Sequence, residues 1–287
     1  MAYTVDAAFN QFYDAINLSG DHRGTANTRK DHLVGLLKNS FNIVDAFGSG
    51  SITRFTALKD HADLDVMVVL HYSKHVQGKQ PTAVLQSVRD ALGEYRSQVR
   101  KNGQAVTLPY TTWPNVDIVP VYYTHDHTGN ITHYNVPDST TETWISSRPK
   151  QHADAVEAKA TECGANFRKF IKIMKWWNGR HGAYLQSYHI EVMALKALTG
   201  NQDDLPWCLY QFFDSCTKLA AAPLFHDLGF SDSYLGAGDR YEAVKRLTAA
   251  TIKARDAWYE TYGGRNKPAA AIEHWKQLFG DKYPAYG

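Results

Sequence analysis

The sequence predicts an α+β fold, with a mixed sheet in residues 1–150 and a helical lobe in residues 151–287. Two observations carry this. Strand-like apolar runs bounded by Gly, Pro and Asn crowd the first part, whereas after Pro149 apolar residues recur almost wholly at three- and four-residue spacing. One run, Val66-Met67-Val68-Val69-Leu70, is apolar without a break, as a strand covered on both faces should be.

In chain order, Ala8 to Ile16 and Thr25 to Asn39 read as amphipathic helices. Strands follow at Ile43 to Phe47 and Leu64 to Leu70. Pro81 to Lys101 reads as one helix, with Val84, Leu85, Val88, Leu92 and Tyr95 at helical spacing. Gln104 to Leu108, Val116 to Tyr123 and Ile131 to Val136 then read as strands. Helices are expected at His152 to Thr161, Asn166 to Asn178, Ser187 to Thr199, Leu205 to Ala222 and Arg240 to Tyr262. His125, His127 and His133 flank Asp126, but their spacing fits no zinc pattern, and Thr128-Gly129-Asn130 marks a polar hairpin loop.

Composition bounds the function. The chain has 287 residues, 44% of them hydrophobic, enough for a sizeable core. Its 31 basic and 29 acidic residues leave a net charge of +2, so no bulk field draws it to nucleic acid or an anionic membrane. Three cysteines without a C-x-x-C pair imply reduced thiols and a cytoplasmic setting. No leader pattern opens the sequence and no run approaches the roughly 18 apolar residues of a membrane span. A soluble, unprocessed monomer is the expectation.

The chemistry gathers around Asp63-Leu64-Asp65, at the head of the buried strand. Carboxylates separated by one residue on a strand project from the same face and can share one cation. Alone, D-x-D is common in solvated turns, but here Gly50-Ser51 precedes it after the strand Ile43 to Phe47. A strand-to-helix turn with Gly and Ser offers backbone N–H groups and a hydroxyl to phosphate. A third acid, Asp117, lies among apolar residues in Val116-Asp117-Ile118-Val119, where an unpaired charge is costly. It requires a metal or a cationic partner, the competing reading being a buried salt bridge to Arg54 or Arg168. All three acids could hold two Mg²⁺ ions, with Mn²⁺ as the alternative.

Together Gly50, Ser51, Arg54, Thr56, Asp63, Asp65 and Asp117 resemble the DNA polymerase β-like nucleotidyltransferase superfamily, and within it the cGAS/DncV-like nucleotidyltransferases of bacterial anti-phage signalling. The resemblance continues through Phe170 to Asn178, Gln186 to Glu191, Tyr234-Leu235-Gly236 and Asp239 to Val244, from about Asn42 to about Tyr259. It implies a nucleotidyltransferase core whose helical lobe completes a nucleotide cleft. It also implies catalytic Asp63, Asp65 and Asp117, and nucleotide contacts from Gly50, Ser51, Asn166, Lys175, Ser187 and Tyr188. Lys175 matches the triphosphate-binding lysine, Ser187 the serine on the donor phosphates, and Tyr188 the aromatic that stacks on the base.

The expected reaction joins NTPs (UTP, ATP or GTP) into a cyclic di- or trinucleotide that a downstream effector senses. Asn166 begins a helix, where it could simply cap; its amide could also pair with the edge of uracil, which would bias the donor site toward UTP. Trp176 and Trp177 read as core, and Arg168, Lys169 and Lys172 as a largely solvated basic face. No zinc insertion and no basic surface appear, so no nucleic-acid activator is expected. A tRNA or small-molecule adenylyltransferase would share the Gly-Ser and D-x-D elements, and a non-catalytic nucleotide sensor would share the fold. Near-neutral charge weighs against tRNA, the Ser187-Tyr188 segment against a minimal adenylyltransferase, and the three acids against a sensor.

Overall fold

A computed structural model describes residues 3–18, 21–59, 63–95, 98–112, 114–262 and 264–287. The chain packs as two compact units, Leu18–Ala153 and Met1–Asn17 with Asp154–Gly287.

The first unit is an α/β sandwich. Its sheet comprises β1 (Ile43–Ser49), β2 (Leu64–Leu70), β3 (Arg100–Asn102), β4 (Ala105–Leu108), β5 (Val116–His125), β6 (Ile131–Asp138) and β7 (Thr143–Ser147). The order is β1-β2-β5-β4-β3, with β6 pairing the far end of β5 and then β7. β2 runs parallel to β5 and the other pairs are antiparallel, so the sheet is mixed. Strand alternation divides the side chains between two faces. Leu64, Val66, Val68 and Leu70 join Val106, Leu108, Val116 and Ile118 in one core. Leu33 and Leu37 of α2 (Asp21–Leu37) and Leu85, Val88 and Leu92 of α5 (Pro81–Gly93) cover it. Met67 and Val69 face the other way, with Val119, Val121, Tyr134 and Val136. Between these elements lie two single-turn helices, α3 (Gly50–Thr53) and α4 (Tyr72–His75).

Pro81 to Lys101 is not one helix. Val84, Leu85, Val88 and Leu92 are buried as expected, but α5 ends at Gly93, a poor helix former, and Tyr95 beyond it is exposed. Residues 96–97 lie outside the described residues, and Arg100–Asn102 turns back as a strand against β4.

The second unit is helical: α1 (Val5–Ile16), the end of α6 (Pro149–Cys163), α7 (Asn166–Arg180), α8 (Ser187–Ala197), α9 (Leu205–Ala220), α10 (Ala237–Tyr259) and α11 (Pro268–Phe279). A two-stranded hairpin, β8 (Phe225–His226) with β9 (Gly229–Phe230), interrupts it. These units differ from a division at residue 150 on two counts: their boundary falls inside α6, and α1 packs with the helices. The reason is aromatic packing. Phe12 stacks on Phe279 at 4.9 Å, and Phe9 meets Trp275 edge-on at 5.1 Å and Tyr283 at 5.3 Å, all fully or almost fully buried. On α7, Phe167, Phe170, Ile171 and Met174 form the apolar stripe, each wholly buried. Trp177 is buried, and Trp176 donates its Nε1–H to the Phe279 carbonyl at 2.9 Å.

Candidate active site

Strand register brings two of the three acids side by side. Ser49 of β1 pairs with Asp65 of β2, Asp65 with Asp117 of β5, and Asp117 with Thr107 of β4. One row therefore crosses four strands as Ser49–Asp65–Asp117–Thr107, on the face that carries Met67, Val119 and Ala105. Neighbouring strands lie about 4.8 Å apart, so the two carboxylates are adjacent. Asp63 lies just ahead of β2, is exposed, and is near enough for its charge to act on Asp117.

Asp117 accepts a hydrogen bond from Thr107 Oγ1 at 2.5 Å. Among the described residues no salt bridge reaches it: burial dominates, and with the charge of Asp63 it raises the carboxyl above its usual range, against the Thr107 hydrogen bond and the charge of Arg100. A carboxylate whose ionisation is penalised in this way, beside a second carboxylate in the next strand, suits a cation. Among the described residues no three His, Cys, Asp or Glu side chains form a ready-made metal cage. That accords with the chemistry of Mg²⁺, which is usually held by one or two carboxylates plus substrate phosphates. Asp65 and Asp117, joined by Asp63, are the residues that could hold it.

Gly50 sets the edge of this row. Its φ of +73° is left-handed, and a Cβ built there would lie 1.7 Å from Asp65 Oδ2. Both the backbone and the close approach of the carboxylate require glycine. Gly50 opens α3 directly after Ser49, and Ser51, half-buried beside it, accepts the Thr56 N–H at 2.9 Å through its carbonyl.

The other four candidates lie on α7 and α8. Ser187 is the exposed first residue of α8, whose N-cap, Gln186, provides no side-chain cap. Its first-turn N–H groups are thus of the kind that receive phosphate. Tyr188 follows, 38% exposed. Lys175 is buried and donates to Glu191, itself wholly buried, at 2.7 Å; in this state the lysine is in an ion pair. Asn166 is not the cap of α7. Ala165 holds that position, and Asn166 Nδ2 donates to the Gln202 carbonyl at 2.7 Å, leaving Oδ1 as its remaining acceptor.

Residues 3–160 match the model of the Second Messenger Oligonucleotide or Dinucleotide Synthetase domain. The chain belongs to that family. It is 22% identical over 336 residues to a probable cyclic nucleotide synthase of Bacillus cereus (strain VD146), covering 100% of this chain and 99% of that one. It is 26% identical over 240 residues to a cyclic AMP-AMP-AMP synthase of Escherichia coli (strain MS 115-1), covering 77% of this chain and 72% of that one. The fold is that of E. coli MS115-1 CdnC, solved with ATP and in complex with HORMA-deltaN. The ATP structure has a TM-score of 0.77 and 18% identity, with 97% of this chain and 98% of that chain covered.

Within this second-messenger synthetase chain, several side chains that shape the site were not legible in sequence. Thr107 shows only as an alternating position in a strand, and its bond to Asp117 depends on which strands pair. Glu191 lies in the segment that carries the resemblance, without a sign that it meets Lys175. Lys172, read as part of a solvated face, is corrected: it is 5% exposed, held by Asn17 Oδ1 and, at 3.4 Å, by Tyr13 Oη, two neutral oxygens on or next to α1. Burial, helped by the charges of Lys175 and Arg168, lowers its pKa to about 8. Its neighbours show why the face is not solvated: α1 packs over it.

Proposed function

We propose that this chain is a metal-dependent nucleotidyltransferase that joins nucleoside triphosphates into a cyclic oligonucleotide with release of pyrophosphate. The observation that carries this reading is the row Ser49–Asp65–Asp117–Thr107, with Gly50 packed on Asp65. A ribose hydroxyl attacks the α-phosphate of an NTP in line with the departing pyrophosphate, one transfer and one pyrophosphate for each bond, and the last transfer closes the ring. Two Mg²⁺ ions, or Mn²⁺ in their place, held by Asp63, Asp65 and Asp117, would neutralise phosphate charge and acidify the attacking hydroxyl. The chain's own part is positioning. Thr107 orients Asp117 through Oδ1, and Oδ2 is the oxygen to take the hydroxyl proton. The first turn of α8 with Ser187 receives phosphate oxygens and Tyr188 stacks the base. Lys175 exchanges Glu191 for the triphosphate when nucleotide binds.

Adenine and guanine nucleotides are favoured as substrates, because the relatives are named for cyclic AMP-AMP-AMP and cyclic AMP-AMP-GMP products. The uridine preference rests on Asn166, whose Oδ1 could accept uracil N3–H but equally the amine of adenine. UTP is therefore the competing substrate to include. The product would signal to a downstream effector in anti-phage defence without a nucleic-acid activator. A HORMA-type protein, as seen with CdnC, is the partner to try if the isolated chain is silent. No described helix is long and apolar enough to cross a membrane. The test is pyrophosphate release from each NTP, alone and mixed, with Mg²⁺ and without. Metal-dependent release that Asp65→Asn reduces by at least about a hundredfold supports the reading; release that survives Asp65→Asn and Asp117→Asn refutes it.

A further inference from the structure

The end of α8, the loop after it and the first turns of α9 line a cavity of about 430 Å³, within the size range of small-molecule sites. None of Lys175, Ser187 and Tyr188 lines it, and along α8 its edge at Ala197 lies about 15 Å from Ser187. Part of the lining is apolar. Leu198 and Phe212 are buried, and Trp207, held between Tyr210 and Trp258, is 37% exposed.

The polar part of the lining is rich in acceptors and negative charge. Asp203 Oδ2 accepts from Asn201 Nδ2, and Asp204 Oδ1 caps α9 by accepting the Trp207 N–H at 3.1 Å. Their other oxygens accept no hydrogen bond among the described residues, and no Lys, Arg or His among those residues lines the cavity. The field of the two acids reaches Cys208: burial first, then the charges of Asp204 and Asp203, push its thiol up to about 11. Gln202 adds an unsatisfied acceptor. It is 8% exposed, and its Nε2 donates to the Thr199 carbonyl at 2.8 Å and the Gly200 carbonyl at 3.3 Å. Its backbone carbonyl is held by Asn166 Nδ2 at 2.7 Å. The amide donors are thus used within the loop, while Oε1 accepts from no described residue. Nearly buried amide oxygens without a donor are rare in folded proteins, and this one belongs to a residue that lines the cavity.

We propose that this cavity is a binding site for a small organic cation of the alkyl diamine or polyamine class. An ammonium carries three donors and no acceptor, which complements this set of groups. One ammonium donates to Gln202 Oε1, Asp203 and Asp204 meet the charge of the other, and the alkyl stem lies against Leu198, Phe212 and Trp207. A bare metal ion would leave that apolar lining unused.

The test is calorimetric titration of the full chain with putrescine, with butanediol as its neutral counterpart, and with MgCl₂. One putrescine should bind per chain, at least about tenfold more tightly than butanediol or Mg²⁺. Asp203→Asn and Asp204→Asn, the second of which keeps a good N-cap, should each weaken putrescine about threefold and together about tenfold. Asp154→Asn, an exposed acid outside the cavity, makes the same change of charge and should leave affinity within about 1.5-fold. Ser215→Leu adds bulk to the lining without changing charge and should weaken putrescine at least about tenfold. Butanediol or Mg²⁺ that binds as tightly as putrescine overturns the proposal, as does a wild type that takes up no putrescine. An effect of Asp154→Asn equal to that of Asp203→Asn, or wild-type affinity in Ser215→Leu, would show surface attraction in place of a site and overturn it equally.

Discussion

Lys172 is a buried ammonium with two neutral oxygens for partners, and this arrangement has a measurable effect on stability. With a folded pKa of about 8 against an ordinary 10.5, the folded chain holds this proton less tightly than the unfolded chain. Below about pH 8 both states are protonated and the full penalty is present. As pH rises from about 8 to about 10.5, the folded state sheds its proton first and stability increases. At about 1.36 kcal/mol per pKa unit, the penalty is roughly 3.4 kcal/mol at pH 7 and roughly 1.4 kcal/mol at about pH 9.5, a gain of about 2 kcal/mol. Lys172→Met keeps most of the volume and removes the titration. Its loss of the bonds to Asn17 and Tyr13 is independent of pH in this window, because burial raises the Tyr13 phenol above its usual range. Denaturant unfolding of both proteins at about pH 7 and about pH 9.5 should show wild type gaining about 2 kcal/mol relative to Lys172→Met. Parallel behaviour of the two proteins would show that the ammonium is solvated and refute the argument.

Three further outcomes follow from the sites. Gly50→Ala places a methyl group 1.7 Å from Asp65 Oδ2 at a left-handed φ; pyrophosphate release should fall by about a hundredfold or more, with a loss of stability of only about 1–3 kcal/mol. Asp117 holds its proton more tightly folded than unfolded, so its contribution to stability is lost as pH rises through the raised value. Asp117→Asn should therefore melt higher than wild type near neutral pH and be inactive, with the difference vanishing in acid. Lys175→Met leaves Glu191 charged and buried and should cost about 3–5 kcal/mol; Lys175→Met/Glu191→Leu should recover that stability in thermal melts but not nucleotide affinity.

The fold was legible where the pattern was local. The run Val66 to Leu70 and the single acid in Val116 to Val119 located the central strands, and the stripe of Phe167, Phe170, Ile171 and Met174 located α7. What escaped was set by pairing and by neighbours distant in sequence. Nothing local places α1 with α11, because Phe9 and Phe12 meet Trp275 and Phe279 across most of the chain. The short β7 and the β8–β9 hairpin carry too few residues for a period to show, and α11 lay beyond the last helix expected. At the site, the D-x-D spacing pointed to Asp63 and Asp65, of which the strand itself holds Asp65, and the parallel register sets Asp117 beside it. Lys172 and Lys175 share the basic pattern of α7, and their burial depended on α1 and α8, which helical spacing alone does not reveal.

The central claim is that the acid row makes this chain a cyclic oligonucleotide synthase. The most direct measurement is mass spectrometry of phosphatase-treated reactions containing all four NTPs and Mg²⁺, for wild type and Asp65→Asn. The account predicts a phosphatase-resistant product whose mass is that of a cyclic oligonucleotide in the wild-type reaction and none in the Asp65→Asn reaction. Products that are all linear and phosphatase-sensitive, or a cyclic product that persists in Asp65→Asn, would contradict it.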